Sequence, residues 1–362
     1  MLVNFTLADE IQNNTLILSN QGLNMIAIIL AGGFAKRLWP ITREIPKPLL
    51  WIGNKKIIDY VLEPIMTLDV DRIIITTNAR FAHLFAPLKE LDERIIINVE
   101  SAMDEVQKLG SIGALKEIFQ KYEGDSYLVA AGDNVTSMNF KDFVRFYYEK
   151  NKDGPASIVA VYDVGSPEKA KRMGVVKLSG EKIIYFVEKP SEPISSLAAT
   201  ACYIFPREHA IMINDYLKSG GNPDAPGYFL EWLYKRANVY AYIFRGFWFD
   251  IGTPDGLLEA FMSLVKESII SEKADISGKV HHPVIIEDGV RIKENSIVGP
   301  YVYIGRGTII NNSKVQKTLI FENCEISNCE INRCLIGGYA KVRGIKIRDS
   351  VIGYWTKIFS YS

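Results

Sequence analysis

Lys36, Arg37 and Lys47 lie close together in the stretch LAGGFAKRLWPITREIPKPLL, residues 30–50, directly after the apolar run MIAIIL. A lysine offers point charge and an arginine a planar fork of donors, both suited to phosphate oxygens. Gly32 and Gly33 let backbone N–H groups approach an anion closely. Pro40, Pro46 and Pro48 stiffen the loop and hold the charges in place before a ligand arrives. The stretch has neither the phosphate-loop nor the dinucleotide-fold glycine spacing, yet it reads as a preorganised triphosphate clamp. Further charged groups stand at strand ends: Asp133 in AGDN, Glu188 and Lys189 in FVEKP, and Asp250 in FWFDIGTPDGLLEA. Each alone reads as plainly as a turn residue, an N-cap or a solvated strand end.

The elements that must position these groups follow from periodicity. Residues 25–31, 72–77, 94–99 and 126–131 are short, nearly continuous apolar runs, the pattern of strands buried on both faces. Helical patterns at 55–68, 81–91 and 110–122 separate them; in the first, Ile57, Val61 and Ile65 form one apolar stripe. Alternating strand and helix predicts an α/β, doubly wound, mixed but mostly parallel sheet. In such folds ligands bind at the carboxyl edge, where the 30–50 loop begins. After AGDN come the strands ASIVAVYDV, GVVKLS, KIIYFVE and ATACYIF, the helix FLEWLYKRA, the strand VYAYIFRGFWFDIG and a long helical pattern at 254–270.

The pattern then changes. Ile286, Val298, Ile304, Ile292 and Ile310 mark a strict spacing of six, which neither helix nor ordinary strand produces. It is the hexapeptide repeat of a short left-handed β-helix, expected to run four or five turns. Cys324, Cys329 and Cys334 shift the spacing to five, with the register recovering near Ile336. They read as stacked small side chains rather than as a zinc site. The expected organisation is an N-terminal extension over 1–24, a catalytic unit over 25–270 and a β-helix over 271–362, with Met25 a candidate start. Open coil ends and any apolar outer face suit the β-helix to homo-oligomer formation.

Composition is ordinary. The chain has 362 residues, 48% hydrophobic and 23% charged, with a formal net charge of zero. Charge therefore argues for neither nucleic acid nor a membrane surface as partner. No apolar run approaches the ~20 residues of a membrane span. Four cysteines are too few for a disulfide scaffold, so a cytoplasmic setting is expected.

The 30–50 stretch resembles the signature of the sugar-1-phosphate nucleotidyltransferases, approximately LAGGxGxRLxPLTxxxPKPLL. It matches at Leu30, Ala31, Gly32, Gly33, Arg37, Leu38, Pro40, Thr42, Pro46, Lys47, Pro48, Leu49 and Leu50, with Ala35 in place of the third glycine. AGDN, RMGVVKL, FVEKP and FWFDIGTPDGLLEA are similar to later motifs of the family, in the same order, and NPDAPGYFLEWL resembles its glucose-1-phosphate thymidylyltransferase-like branch. The resemblance implies a Rossmann-like nucleotidyltransferase fold. It also implies that Arg37, Lys47 and Asp133 are catalytic and that Asp133 and Asp250 hold Mg²⁺. Leu30, Ala31, Gly32, Gly33, Gly110, Gly174, Glu188, Lys189 and Thr200 would bind substrate.

The partners implied are a nucleoside triphosphate and a sugar 1-phosphate, with dTTP or UTP and glucose 1-phosphate as first choice. Alternatives are mannose 1-phosphate with GTP, or a non-catalytic regulatory relative. Either Glu100 or Gln107 would face the base. On the sugar side an expected Asn or Ser is Ala199 and an expected Gly is Ala201. An additional acyltransferase activity is disfavoured, because the only histidines beyond residue 210 are His281 and His282, at the very start of the repeats.

Overall fold

The computed structural model describes residues 24–101, 103 and 110–360. Nine strands form the central sheet. Met25–Leu30 lies between Arg72–Asn78 and Ser126–Ala131, and Ile95–Glu100 forms the edge beyond Arg72–Asn78; all four are parallel. The sheet continues from Ser126–Ala131 through Leu197–Pro206, Ala156–Asp163, Asn238–Ile243 and Lys182–Glu188 to Gly174–Ser179. Only Lys182–Glu188 and Leu197–Pro206 run against the rest. The two faces carry separate apolar layers. Ile29, Ile73 and Phe143 belong to one, Ile28, Ile74 and Leu230 to the other. Burial on both faces is why these strands read as continuous apolar runs.

Several boundaries differ from the sequence expectation. The 81–91 pattern is a short helix, Ala82–Phe85, followed by a 3₁₀ turn, Ala86–Glu90, because Pro87 withholds an N–H from a continuing α-helix. The 239–252 run breaks into Asn238–Ile243 in the main sheet and Trp248–Asp250, which pairs with Asn134–Thr136 in a two-stranded ribbon. The chain bends between them at Gly246, whose φ of +112° suits only glycine. The last helix spans Pro254–Leu264, capped by the Thr253 hydroxyl. The 254–270 pattern overruns it because Ile269–Ile270 already pairs in parallel with Ile285–Ile286 as the first strand of the repeat region.

From Ile269 the chain winds into three parallel sheets of six, six and five short strands, a left-handed β-helix. Ile286, Ile304, Ile320, Ile336 and Ile352 stack along one inner row. The first of these steps is eighteen residues, as the spacing of six requires. The later ones are sixteen, so the shortening that begins near Val315 persists to the end rather than recovering. Residues of positive φ turn the corners, among them Asn312, Lys317, Asn328 and Arg333 at the shortened ones and Asn323 and Tyr339 at corners that keep the spacing of six. Cys324, Cys329 and Cys334 occupy three successive corners of one coil. Their N–H groups donate to Thr308, Ser313 and Thr318 hydroxyls one coil earlier, so they are members of a small-residue ladder.

One outer face of the β-helix is covered by the chain itself. Ile285, Tyr303, Leu319 and Leu335 point outward from the first sheet and share a buried cluster with Leu38, Ile41, Leu257 and Phe261. The apolar outer face expected to serve subunit contact is thus committed to the signature loop and the Pro254–Leu264 helix. The Trp51 and Tyr303 rings stack across the junction, and Arg333 pairs with Asp255 at 2.9 Å. No helix among the described residues is long and apolar enough to cross a membrane.

Ala35 has a φ of +46°, a left-handed conformation where the family signature places glycine. That conformation costs a non-glycine residue about 1–2 kcal/mol, partly offset by glycine's greater freedom when unfolded. Ala35→Gly is therefore expected to stabilise the protein by roughly 0.5–1 kcal/mol, read as a raised denaturation midpoint; an unchanged or lowered midpoint would contradict this.

Candidate active site

A cleft of about 1130 Å³ opens at the carboxyl edge of the sheet and brings together Arg37, Lys47, Asp133, Glu188, Lys189 and Asp250. Asp133 follows the Ser126–Ala131 strand. The ribbon register sets Asp250 opposite Asn134 and thus next to Asp133. Lys47, 8% exposed, forms an ion pair with Asp133 and donates to the Ile251 carbonyl at 2.6 Å. Its ammonium is therefore fixed from two sides. Asp250 opens onto the cleft, yet the surrounding protein raises its carboxyl above the ordinary range by desolvation, and the nearby Asp133 charge adds to this. Asn134 steadies the pair: its amide donates to Asp133 Oδ1 at 3.0 Å and accepts from the Trp248 indole.

Arg37 lies across Gly252. A Cβ there would stand 3.2–3.4 Å from its guanidinium. Among the described residues Arg37 forms no ion pair, leaving its fork free for a ligand. The signature threonine has a structural task, since Thr42 Oγ1 donates to the Ala35 carbonyl at 2.9 Å and closes the loop.

At the other end of the cleft Glu188 is held in a glycine cradle. Cβ atoms added to Gly174 and Gly227 would stand 2.9 and 1.8 Å from Glu188 Oε2. Burial is the main cause that raises the Glu188 carboxyl, with Lys189 opposing it. Lys189 Nζ lies 3.7 Å from Glu188 Oε1 and over the Tyr228 ring. Its backbone N–H donates to the Met173 carbonyl at 3.0 Å, tying FVEKP to the segment that carries Gly174.

The remaining expected residues lie apart from this lining. Leu30 accepts from the Gly132 N–H and Ala31 donates to the Thr76 carbonyl, so both are strand-end groups. A Cβ on Gly32 would meet Glu100 Oε1 at 2.6 Å, whereas Gly33 faces open space. Glu100 is buried against Gly32, accepts from the Thr76 hydroxyl at 2.7 Å and is raised by desolvation. Gln107 lies outside the described residues. Gly110, at φ +75°, opens the Gly110–Lys121 helix; its missing Cβ makes room for the Pro223 carbonyl at 2.3 Å. Thr200 is buried and donates to the Ala160 carbonyl at 3.1 Å, while its neighbours Ala199 and Ala201 line the cleft. A register shift between Ala199 and Tyr203 accompanies this arrangement. Sequence reasoning missed Asn134, Trp248 and Gly227. Each nevertheless stands inside a motif singled out from the sequence: Asn134 ends AGDN, Trp248 is in FWFDIGTPDGLLEA and Gly227 is in NPDAPGYFLEWL.

Residues 26–267 match the family described as nucleotidyl transferase. The chain belongs to this family of sugar-1-phosphate nucleotidyltransferases. It is 30% identical to a glucose-1-phosphate adenylyltransferase of Clostridioides difficile over 91% of this chain and 84% of that one. It is 29% identical to a Sulfolobus acidocaldarius protein assigned as a mannose-1-phosphate guanyltransferase, over 75% and 74%. Among solved structures, a Bacillus anthracis protein assigned as a glucose-1-phosphate thymidylyltransferase, crystallised with sucrose, superposes with a TM-score of 0.58 at 25% identity. It covers 68% of this chain and 98% of its own.

The cradle of this nucleotidyltransferase makes a sharp prediction. In Gly227→Ala the new methyl must displace the Glu188 carboxylate, which is the flexible end of a side chain, so folding is expected to survive. If Glu188 binds the sugar, as the resemblance implies, losing hydrogen bonds to this charged group costs about 1.5–3 kcal/mol, so KM for the sugar phosphate should rise at least about tenfold while KM for the triphosphate stays put. Equal changes in both would show that Glu188 does not face the sugar.

Proposed function

We propose that the protein transfers a nucleotidyl group from a nucleoside triphosphate to a hexose 1-phosphate, with glucose 1-phosphate as the sugar, and releases pyrophosphate. The observation that carries this reading is the convergence of Arg37, Lys47, Asp133, Glu188, Lys189 and Asp250 in one cleft. Residues 25–270 form the catalytic unit. The nucleophile is an oxygen of the sugar phosphate, already an anion, so no general base is required. A bond forms from that oxygen to the α-phosphorus as the bond to the β-phosphate oxygen breaks. The task left to the protein is alignment and charge neutralisation of two phosphates that repel each other.

Lys47, fixed by Asp133 and Ile251, faces the charge that grows at the α-phosphate. Arg37 covers the departing pyrophosphate. Lys189 neutralises the sugar phosphate, and Glu188 accepts from sugar hydroxyls. Asp133 and Asp250 fit a Mg²⁺ site, because two adjacent carboxylates whose charges repel are the hard oxygen donors this ion uses beside phosphate oxygens. When bound, the ion supplies neutralisation of the phosphate charge. The uncovered faces and ends of the β-helix are the surfaces for self-association.

The relatives' activities, adenylyl, guanylyl and thymidylyl transfer, support placing ATP beside dTTP and UTP as donor. The deciding experiment is a matrix of triphosphates against glucose and mannose 1-phosphates with Mg²⁺, read as nucleotide sugar formed. Glucose 1-phosphate is expected to react with at least one of ATP, dTTP and UTP. Product only from mannose 1-phosphate with GTP would correct the sugar and the base, and no product from any pair would overturn the reading.

A further inference from the structure

We propose that the β-helix sets the position of the catalytic signature loop, with its last coil acting as a stop against Pro40. The inference rests on the reading of that loop as the triphosphate clamp. The loop between Met25–Leu30 and Trp51–Ile52 contains no α-helix and no strand; it is a chain of 3₁₀ turns at Lys36–Leu38, Ile41–Arg43 and Lys47–Leu49. Such turns have weak hydrogen-bond geometry and need tertiary support. The support comes from the repeat region. Leu38 and Ile41, 1% and 0% exposed, flank Pro40 and share one buried cluster with Leu319, Phe321 and Leu335 of the β-helix.

Gly353, in the final coil, is buried against Pro40. A Cβ at 353 would stand 3.1 Å from both Pro40 Cβ and Cγ, closer than ordinary van der Waals contact, so the absence of a side chain sets how near the loop approaches. Arg37 lies next to Leu38 and three residues before Pro40, and its guanidinium must lie across Gly252. Gly252 in turn precedes the Pro254–Leu264 helix, whose Asp255 is tied to Arg333 of the β-helix. Both walls that hold Arg37 are therefore braced by the repeat region. A displacement of about 1 Å in a positioned catalytic group can cost a hundredfold in rate. Gly353 and Leu335 are thus positioning residues, acting through the loop.

The test compares three variants of the full-length protein. Gly353→Val pushes on Pro40, Leu335→Ala opens a cavity under the loop, and Val342→Ala weakens the β-helix from inside without touching the loop's cluster. Hydrogen exchange over residues 36–50 and steady-state kinetics are measured on each. Gly353→Val and Leu335→Ala are expected to speed exchange in that segment about tenfold and to lower kcat/KM for the triphosphate about tenfold, with KM for the sugar phosphate unchanged. Val342→Ala is expected to lower Tm and leave both readouts at the parent values. Parent-like exchange and kinetics in the first two, or the same shifts in Val342→Ala, would overturn the proposal. Should Gly353→Val fail to fold, Leu335→Ala carries the same comparison. If the parent transfers no nucleotide, the proposed function fails and the exchange comparison alone decides the positioning role.

Discussion

Asp250→Asn and Asp133→Asn are each expected to lower kcat/KM by about a hundredfold or more, the scale of losing one electrostatic clamp on a reacting phosphate. The two carboxylates repel each other, and desolvation by the protein around the cleft already disfavours the Asp250 charge. Neutralising one removes a repulsion from the folded protein, so Asp250→Asn should keep or raise Tm while activity falls. That opposition separates a catalytic group from a structural one. Chelation should silence the parent as well, since Asp133 and Asp250 are adjacent hard donors beside the cations of the cleft. Parent-level turnover in both variants, or full activity in excess chelator, would remove the carboxylates from the mechanism.

The second large effect concerns the repeat region. Ending the chain near Lys273 is expected to leave protein that is insoluble or inactive, not merely altered in assembly. From the sequence, an exposed apolar face would make oligomeric state the first property to change. The structure assigns one face differently: Ile285, Tyr303, Leu319 and Leu335 cover Leu38, Ile41, Leu257 and Phe261 within the same chain. Losing a single buried leucine costs about 2–5 kcal/mol, and the truncation strips several at once from a protein whose net stability is of order 5–15 kcal/mol. A soluble truncated protein with parent kcat would refute this and would free the β-helix for a purely assembling role.

Much of this could be read from residue types because it rests on local rules. Parallel strands buried on both faces announce themselves as Ile- and Val-rich runs, and glycines with cations after such a strand announce a phosphate loop. The β-helix was legible because its first coils repeat every six residues. Its later coils were not, because left-handed corners at residues such as Lys317, Asn328 and Arg333 carry no glycine to mark the shortened turn.

Long-range facts left weaker traces. Leu319 and Leu335 face the signature loop, but in sequence they stand beside the inward Ile320 and Ile336 and merge with them into one apolar pair. Thr200 reads as a site residue from its motif; in the structure its hydroxyl is spent on the Ala160 carbonyl while Ala199 and Ala201 take the cleft. Gly227 became interpretable only once Glu188, far off in sequence, was seen to fill the space where its Cβ would be.

Isotope tracing tests the central claim most directly. Glucose 1-phosphate carrying ¹⁸O on its phosphate is turned over with Mg²⁺ and the triphosphate that the substrate matrix selects, and the label is located by mass spectrometry. Direct attack within this cleft predicts that the nucleotide sugar retains the label, that pyrophosphate carries none, and that labelled pyrophosphate exchanges into the triphosphate only when sugar phosphate is present. Label in pyrophosphate, or exchange without the sugar phosphate, would contradict it.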